Sequence, residues 1–90
     1  MATLLVSCNS YNKVYVSTDI DYKYEAAKEY YLTGDYVKSS QLLEGMITML
    51  KGSDKAEESV ILLAMCYYNS EDYETASQYF KVYYTNYPRG

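Results

Sequence analysis

The chain states one pattern twice, 37 residues apart. Tyr30-Tyr31 followed by Gly34-Asp35-Tyr36 returns as Tyr67-Tyr68 followed by Glu71-Asp72-Tyr73, and the same offset carries Ala27 onto Ala64 and Leu43 onto Phe80. A fixed period of about 20 to 50 residues marks small supersecondary units stacked on one another. Such stacks bury a shared core between neighbours and offer an extended surface more readily than an enclosed catalytic pocket. Binding of a partner is therefore the first functional expectation.

The spacing of apolar residues predicts an all-α chain of four helices. The first is expected from Asp21 to Thr33, where Ala26, Ala27, Tyr30 and Tyr31 fall at the three-and-four spacing of a buried stripe. Gly34 supplies a permissive backbone at its end, and Asp35 caps a second helix reaching Leu50. Its stripe reads Tyr36, Ser39 or Ser40, Leu43, Met46, Ile47 and Leu50. Lys51-Gly52-Ser53-Asp54 breaks the chain, with Ser53 or Asp54 as the expected cap of a third helix and Glu57 as its capping-box partner. That helix, Lys55 to Asn69, turns Val60, Leu63, Ala64 and Tyr67 inward with Cys66 close by. A fourth, Tyr73 to Tyr87, buries Ala76, Phe80 and Tyr83 and ends at Pro88, which lacks an amide proton. No hairpin signal of β structure is present. Asn9 to Asp21 is polar and without helical periodicity, and it reads as a tether. The expected organisation is residues 1–20 as leader and tether, 21–53 as one unit and 54–90 as the next.

Composition narrows the function. With 8 basic residues against 12 acidic ones the net charge is -4, and no Lys/Arg stripe offsets it, so nucleic acid is not an expected partner. Histidine is absent, which removes the commonest general base and zinc ligand. Cys8 and Cys66 have neither CxxC spacing nor companion ligands. No catalytic residue, metal ligand or cofactor is put forward, and no enzyme is expected. Cys66 reads as a buried, inert thiol, and the acidic residues Glu57, Glu58, Glu71, Asp72 and Glu74 as caps and solvated faces. Fourteen of the 90 residues are tyrosine, whose large ring and single hydroxyl suit half-exposed grooves and interfaces.

The second unit fits a named pattern. Val60-x2-Leu63-Ala64-x2-Tyr67, then Ala76-x3-Phe80, then Pro88 resembles the tetratricopeptide repeat, W-x2-L-G-x2-Y, A-x3-F, P. The small residues Ala64 and Ala76 are expected where two antiparallel helices approach, with Leu63, Tyr67 and Phe80 filling the space around them. The first unit is a degraded match, Ala26-Ala27-x2-Tyr30 and Ser39-x3-Leu43, without the proline. Both readings converge on an α-solenoid fragment of tetratricopeptide-like helical hairpins.

Leu5-Val6-Ser7-Cys8 resembles a lipoprotein lipobox, whose cysteine becomes the acylated N-terminus. The basic start and the 7–15-residue apolar core of a full signal are incomplete here, and the leader is expected to begin further upstream or to be read from a late start codon. Lipid chains on Cys8 would hold the module on a membrane without spanning it, each buried CH₂ contributing about 0.8 kcal/mol. Cys8-Asn9-Ser10-Tyr11-Asn12-Lys13, then Asp21 through Tyr31, is similar to the start of BamD-type lipoproteins, the tetratricopeptide subunits of the outer-membrane β-barrel assembly machinery. Asp54 to Ser59, Cys66-Tyr67-Tyr68, Tyr79-Phe80-Lys81 and Tyr87-Pro88 are similar to the second repeat of that family.

The resemblance implies a scaffold anchored in the inner leaflet of the outer membrane, facing the periplasm. Its N-terminal repeats would receive unfolded barrel precursors or partner subunits. By analogy with tetratricopeptide arrays, the first helix of each unit lines the binding groove. The expected partner-binding residues are Tyr24, Lys28 and Tyr31 from one unit and Ile61, Met65 and Tyr68 from the next. Such a surface suits an extended peptide ending in an aromatic residue, with Lys28 placed for its terminal carboxylate. The competing expectation is a soluble tetratricopeptide adaptor without a membrane anchor.

Overall fold

A computed structural model of the chain describes residues 11–88. All regular structure among them is helical: α1 (Ile20–Leu32), α2 (Tyr36–Met46), α3 (Ala56–Asn69) and α4 (Tyr73–Asn86), preceded by a helical segment over residues 11–16. Each helix packs on the next in the chain, α1 on α2, α2 on α3 and α3 on α4.

The two hairpins close through the same turn. In α1–α2, Gly34 N–H donates to the Tyr31 carbonyl at 3.1 Å and Asp35 N–H to the Tyr30 carbonyl at 2.8 Å. In α3–α4, Glu71 donates to Tyr68 at 3.0 Å and Asp72 to Tyr67 at 2.9 Å. Both are the paired bonds of a Schellman ending, which needs a left-handed residue after the helix. Gly34 supplies it at φ 88°, and Glu71 does so at φ 65° despite its side chain. Asp35 and Asp72 then cap α2 and α4, each carboxylate accepting a backbone N–H at 3.2 Å, from Lys38 and Thr75. Tyrosine rings flank both turns edge to face, Tyr31 on Tyr36 at 5.5 Å and Tyr68 on Tyr73 at 5.3 Å.

Within each hairpin the helices meet at small residues. Ala27 is fully buried opposite Ser39, whose hydroxyl donates to the Ala27 carbonyl at 2.8 Å. Ala64 and Ala76 hold the corresponding positions in α3 and α4, exposed to 0% and 1%. Around these close approaches sit Leu42, Leu43, Met46, Leu50, Leu63, Cys66 and the ring of Tyr24. A fully buried leucine contributes roughly 1.5–3 kcal/mol, so this shared apolar layer holds the hairpins together.

Four local expectations are corrected. The residues read as a tether include a helical segment, 11–16, that brings Val14 into the core at 4% exposure and sets Tyr11 edge-on to Tyr30 at 5.8 Å. Six residues are too few to show periodicity, and their helicity rests on these tertiary contacts. The expected total of four helices therefore becomes four plus this segment. Helix α2 stops at Met46 instead of Leu50, because Gly45, Ile47 and Thr48 are weak helix formers. Tighter turns carry the chain on, and Leu50 still reaches the core through its N–H bond to the Met46 carbonyl.

The expected capping box is not formed. Lys55 occupies the N-cap of α3 with no side-chain bond, Ser53 Oγ accepts from Lys55 N–H at 3.2 Å, and Glu57 accepts from the Tyr83 hydroxyl at 3.1 Å. A tight turn through Ser53 replaces the box, closed by Ala56 N–H on the Ser53 carbonyl at 3.3 Å. Among the buried polar side-chain atoms described, each has a hydrogen-bond partner.

Candidate binding face

Helices α1 and α3 are bridged by long polar side chains. Buried Tyr24, at 1% exposure, donates its hydroxyl to the Glu58 carboxylate. Lys28 approaches the same carboxylate at 3.4 Å and sits over the Tyr24 ring at 5.4 Å. Further along, Asn69 Nδ2 reaches the Tyr31 hydroxyl at 3.5 Å and the Met65 carbonyl at 2.9 Å. Glu58 and Asn69 occupy the edge of α3 that faces α1, and Met65 lies on the same helical stripe.

Charge follows from this arrangement. The hydrogen bond from Tyr24, followed by the Lys28 cation, holds the Glu58 carboxyl below the usual carboxylate range. Burial, then the bond to Glu58, pushes the Tyr24 hydroxyl far up, so it remains a donor. Lys28 has three donor protons and is half-exposed, so it can pair with Glu58 and still meet a second acceptor.

Of the six residues expected to bind a partner, five remain at least partly accessible. Lys28, Tyr31, Ile61 and Met65 are half-buried and Tyr68 is 50% exposed. Tyr24 is not part of an open surface. Its ring is packed in the core beneath Lys28 and Lys55, and its hydroxyl reaches outward to the half-exposed Glu58. Glu58 and Asn69, which sequence reading set among solvated faces and turns, join the two helices. The signal was present as a stripe: Glu58, Met65 and Asn69 recur at helical spacing on one side of α3.

Other features lie elsewhere. An open cleft of ≈ 580 Å³ separates the 11–16 segment from α2, lined by Tyr11, Asn12, Tyr15, Gln41, Glu44 and Gly45. Cys66 is 1% exposed and burial pushes its thiol up, which makes it a poor nucleophile. Cys8, the expected acylation site, lies outside the described residues. No group of His, Cys, Asp and Glu suited to a metal ion occurs among the described residues, and no described helix is long and apolar enough to cross a membrane. Compared with known proteins, the chain matches no family model, no curated protein and no solved structure.

Proposed function

We propose that the chain is a tetratricopeptide-like scaffold that holds an extended peptide of a partner protein across the α1–α3 face. The observation that carries this reading is the lateral joint itself. Tyr24–Glu58, Lys28–Glu58 and Tyr31–Asn69 bind the first helices of two like-built hairpins into one surface. The surface combines a half-exposed cation and carboxylate with the rings of Tyr31 and Tyr68. Glu58 suits a backbone N–H of the guest, Lys28 its terminal carboxylate, and the rings its apolar side chains.

The same reading extends to place and role. The lipobox-like Leu5-Val6-Ser7-Cys8 supports a lipid anchor at Cys8, and the likeness to BamD-type lipoproteins supports work on barrel precursors or assembly subunits at the outer membrane. A soluble adaptor shares the face but not the anchor. Labelled palmitate incorporation at Cys8 separates the two: label lost in Cys8→Ser supports the anchor, and none in the unsubstituted protein favours the adaptor.

The binding claim is tested by titrating barrel-precursor C-terminal peptides ending in an aromatic residue. Tyr31→Ala with Tyr68→Ala is expected to weaken binding roughly tenfold or more with helicity kept, since stacked aromatic anchors carry most of such an interface. Unchanged affinity in that variant would contradict the proposed face.

A further inference from the structure

The helical segment over residues 11–16 is fastened to the body at both ends. Val14 lies in the core at 4% exposure, and the Tyr11 ring stands edge-on to Tyr30 at 5.8 Å. The Tyr11 hydroxyl donates to Gln41 Oε1 at 2.5 Å, and the buried Lys23 donates through Nζ to the Tyr15 carbonyl at 3.0 Å. These residues are therefore part of the packed body. Only Asn9 and Ser10 stand between Cys8 and Tyr11, so at most roughly 11 Å of extended chain separates a lipid on Cys8 from the segment.

The outer side of the segment carries Asn12, Lys13, Tyr15 and Val16, all exposed, Tyr15 to 53% and Val16 to 74%. Tyr11, at 5.9 Å between ring centroids, and the Lys23 ammonium, 5.8 Å from the ring centre, hold the Tyr15 ring in place. Lys13 forms no ion pair or hydrogen bond among the described residues. Single apolar residues on a surface are ordinary. These two differ by position, because they sit beside a cation on a fixed segment within reach of the expected anchor. A tyrosine ring favours the boundary between headgroups and acyl chains, and an exposed valine gains by leaving water. A lysine stem lies along apolar surface with its ammonium at the phosphates.

We infer that Lys13, Tyr15 and Val16 are a membrane contact, resting on the headgroup region of the bilayer that holds the lipid on Cys8. The inference rests on the lipid-anchor reading and adds to it a fixed footing in place of a loose tether. It leaves the guest face apart, since Lys28, Tyr31, Ile61, Met65 and Tyr68 lie on α1 and α3.

The chain has no tryptophan, so one introduced indole reports its own surroundings. Val16→Trp is compared with Tyr84→Trp, an equally exposed position on α4. Each full chain is coupled through Cys8 to maleimide-headgroup lipid in phosphatidylcholine vesicles, with Cys8→Ser as the control for reaction at the buried Cys66. With lipids brominated high on the acyl chain, Val16→Trp is expected to be quenched roughly twofold or more beyond Tyr84→Trp, because interfacial residues sit at that depth. Equal quenching of the two overturns the inference. So does a Val16→Trp signal already shielded from acrylamide in the uncoupled chain, which assigns the segment's outer side to contact between copies. Because the coupling itself supplies the anchor, equal quenching leaves the anchor reading standing, whereas absence of palmitate label overturns the anchor whatever the two reporters show.

Discussion

The hydroxyl of Tyr67, on α3, donates to the carboxylate of Glu44, on α2. This bond ties the first helix of the second hairpin to the second helix of the first, and Tyr79 of α4 reaches the same carboxylate at 3.3 Å. The Tyr67 and Tyr79 rings stack at 5.8 Å with an interplanar angle of 5°. One carboxylate thus serves as a common acceptor for both helices of the neighbouring hairpin.

Tyr67→Phe keeps the stacked ring and deletes only the donor, so it isolates that bond. It is expected to cost about 0.5–1.5 kcal/mol, with Glu44→Gln costing less and the two coupled in a double-mutant cycle. Urea unfolding of the four proteins measures the coupling. Strict additivity would mean that the bond does not contribute to joining the hairpins.

The paired turns predict opposite outcomes for opposite substitutions. Glu71 holds φ 65°, a conformation that costs an ordinary L-residue roughly 1–2 kcal/mol. Glu71→Gly is expected to stabilise the protein by about 0.5 kcal/mol or more, part of the gain being offset by the freedom glycine adds to the unfolded chain. Gly34→Ala, at φ 88° with open space around it, is expected to destabilise by about 1 kcal/mol through backbone strain alone. Thermal unfolding followed by circular dichroism reads both signs.

Close approach of the helices makes Ala64 and Ala76 intolerant of size. With 0% and 1% exposure, either position changed to Leu is expected to lose about 1–3 kcal/mol by overpacking, whereas Leu63→Ala loses about 2–5 kcal/mol through a cavity. Denaturant midpoints of the three variants test this, and a tolerated Ala64→Leu contradicts the packing described.

Stability is expected to fall at both ends of the pH scale, for different groups. The Glu58 carboxyl is depressed in the fold, so its contribution is present above its ordinary value of 4.5 and is lost as pH drops through the lower folded value. Tyr24 and Tyr67 are raised from 10.0 by burial and by their bonds to Glu58 and Glu44. Above that ordinary value the unfolded chain has released phenolic protons that the fold retains, so stability declines as pH rises further. Tyr24→Phe should flatten the alkaline limb and move the Glu58 titration, followed by NMR, back toward the ordinary carboxylate value. A Glu58 titration indifferent to Tyr24→Phe contradicts the assigned cause.

Much of this fold was legible in the chain because its strongest signals are local. The stripes through Leu43, Met46, Leu63 and Ala64 place those residues in the core, and Asp35 and Asp72 cap helices where their spacing predicts. The 11–16 segment was not legible, since Val14 is buried by neighbours distant in sequence. The same reason explains the candidate face. Helical spacing puts Lys28 and Tyr31 on one side of α1, but nothing local shows that Tyr24 is buried with its hydroxyl on Glu58 or that Asn69 meets Tyr31. Those facts belong to the joint between hairpins, which exists only after both have folded.

The most direct measurement of the central claim is an NMR titration of the full chain with a barrel-precursor peptide ending in an aromatic residue. Saturable shifts are expected in Lys28, Tyr31, Ile61, Met65 and Tyr68, with Glu58 and Asn69 moving alongside them. Saturable shifts confined to the cleft around Tyr11 and Gln41 or to the outer side of α4, or no shifts at all, would contradict it.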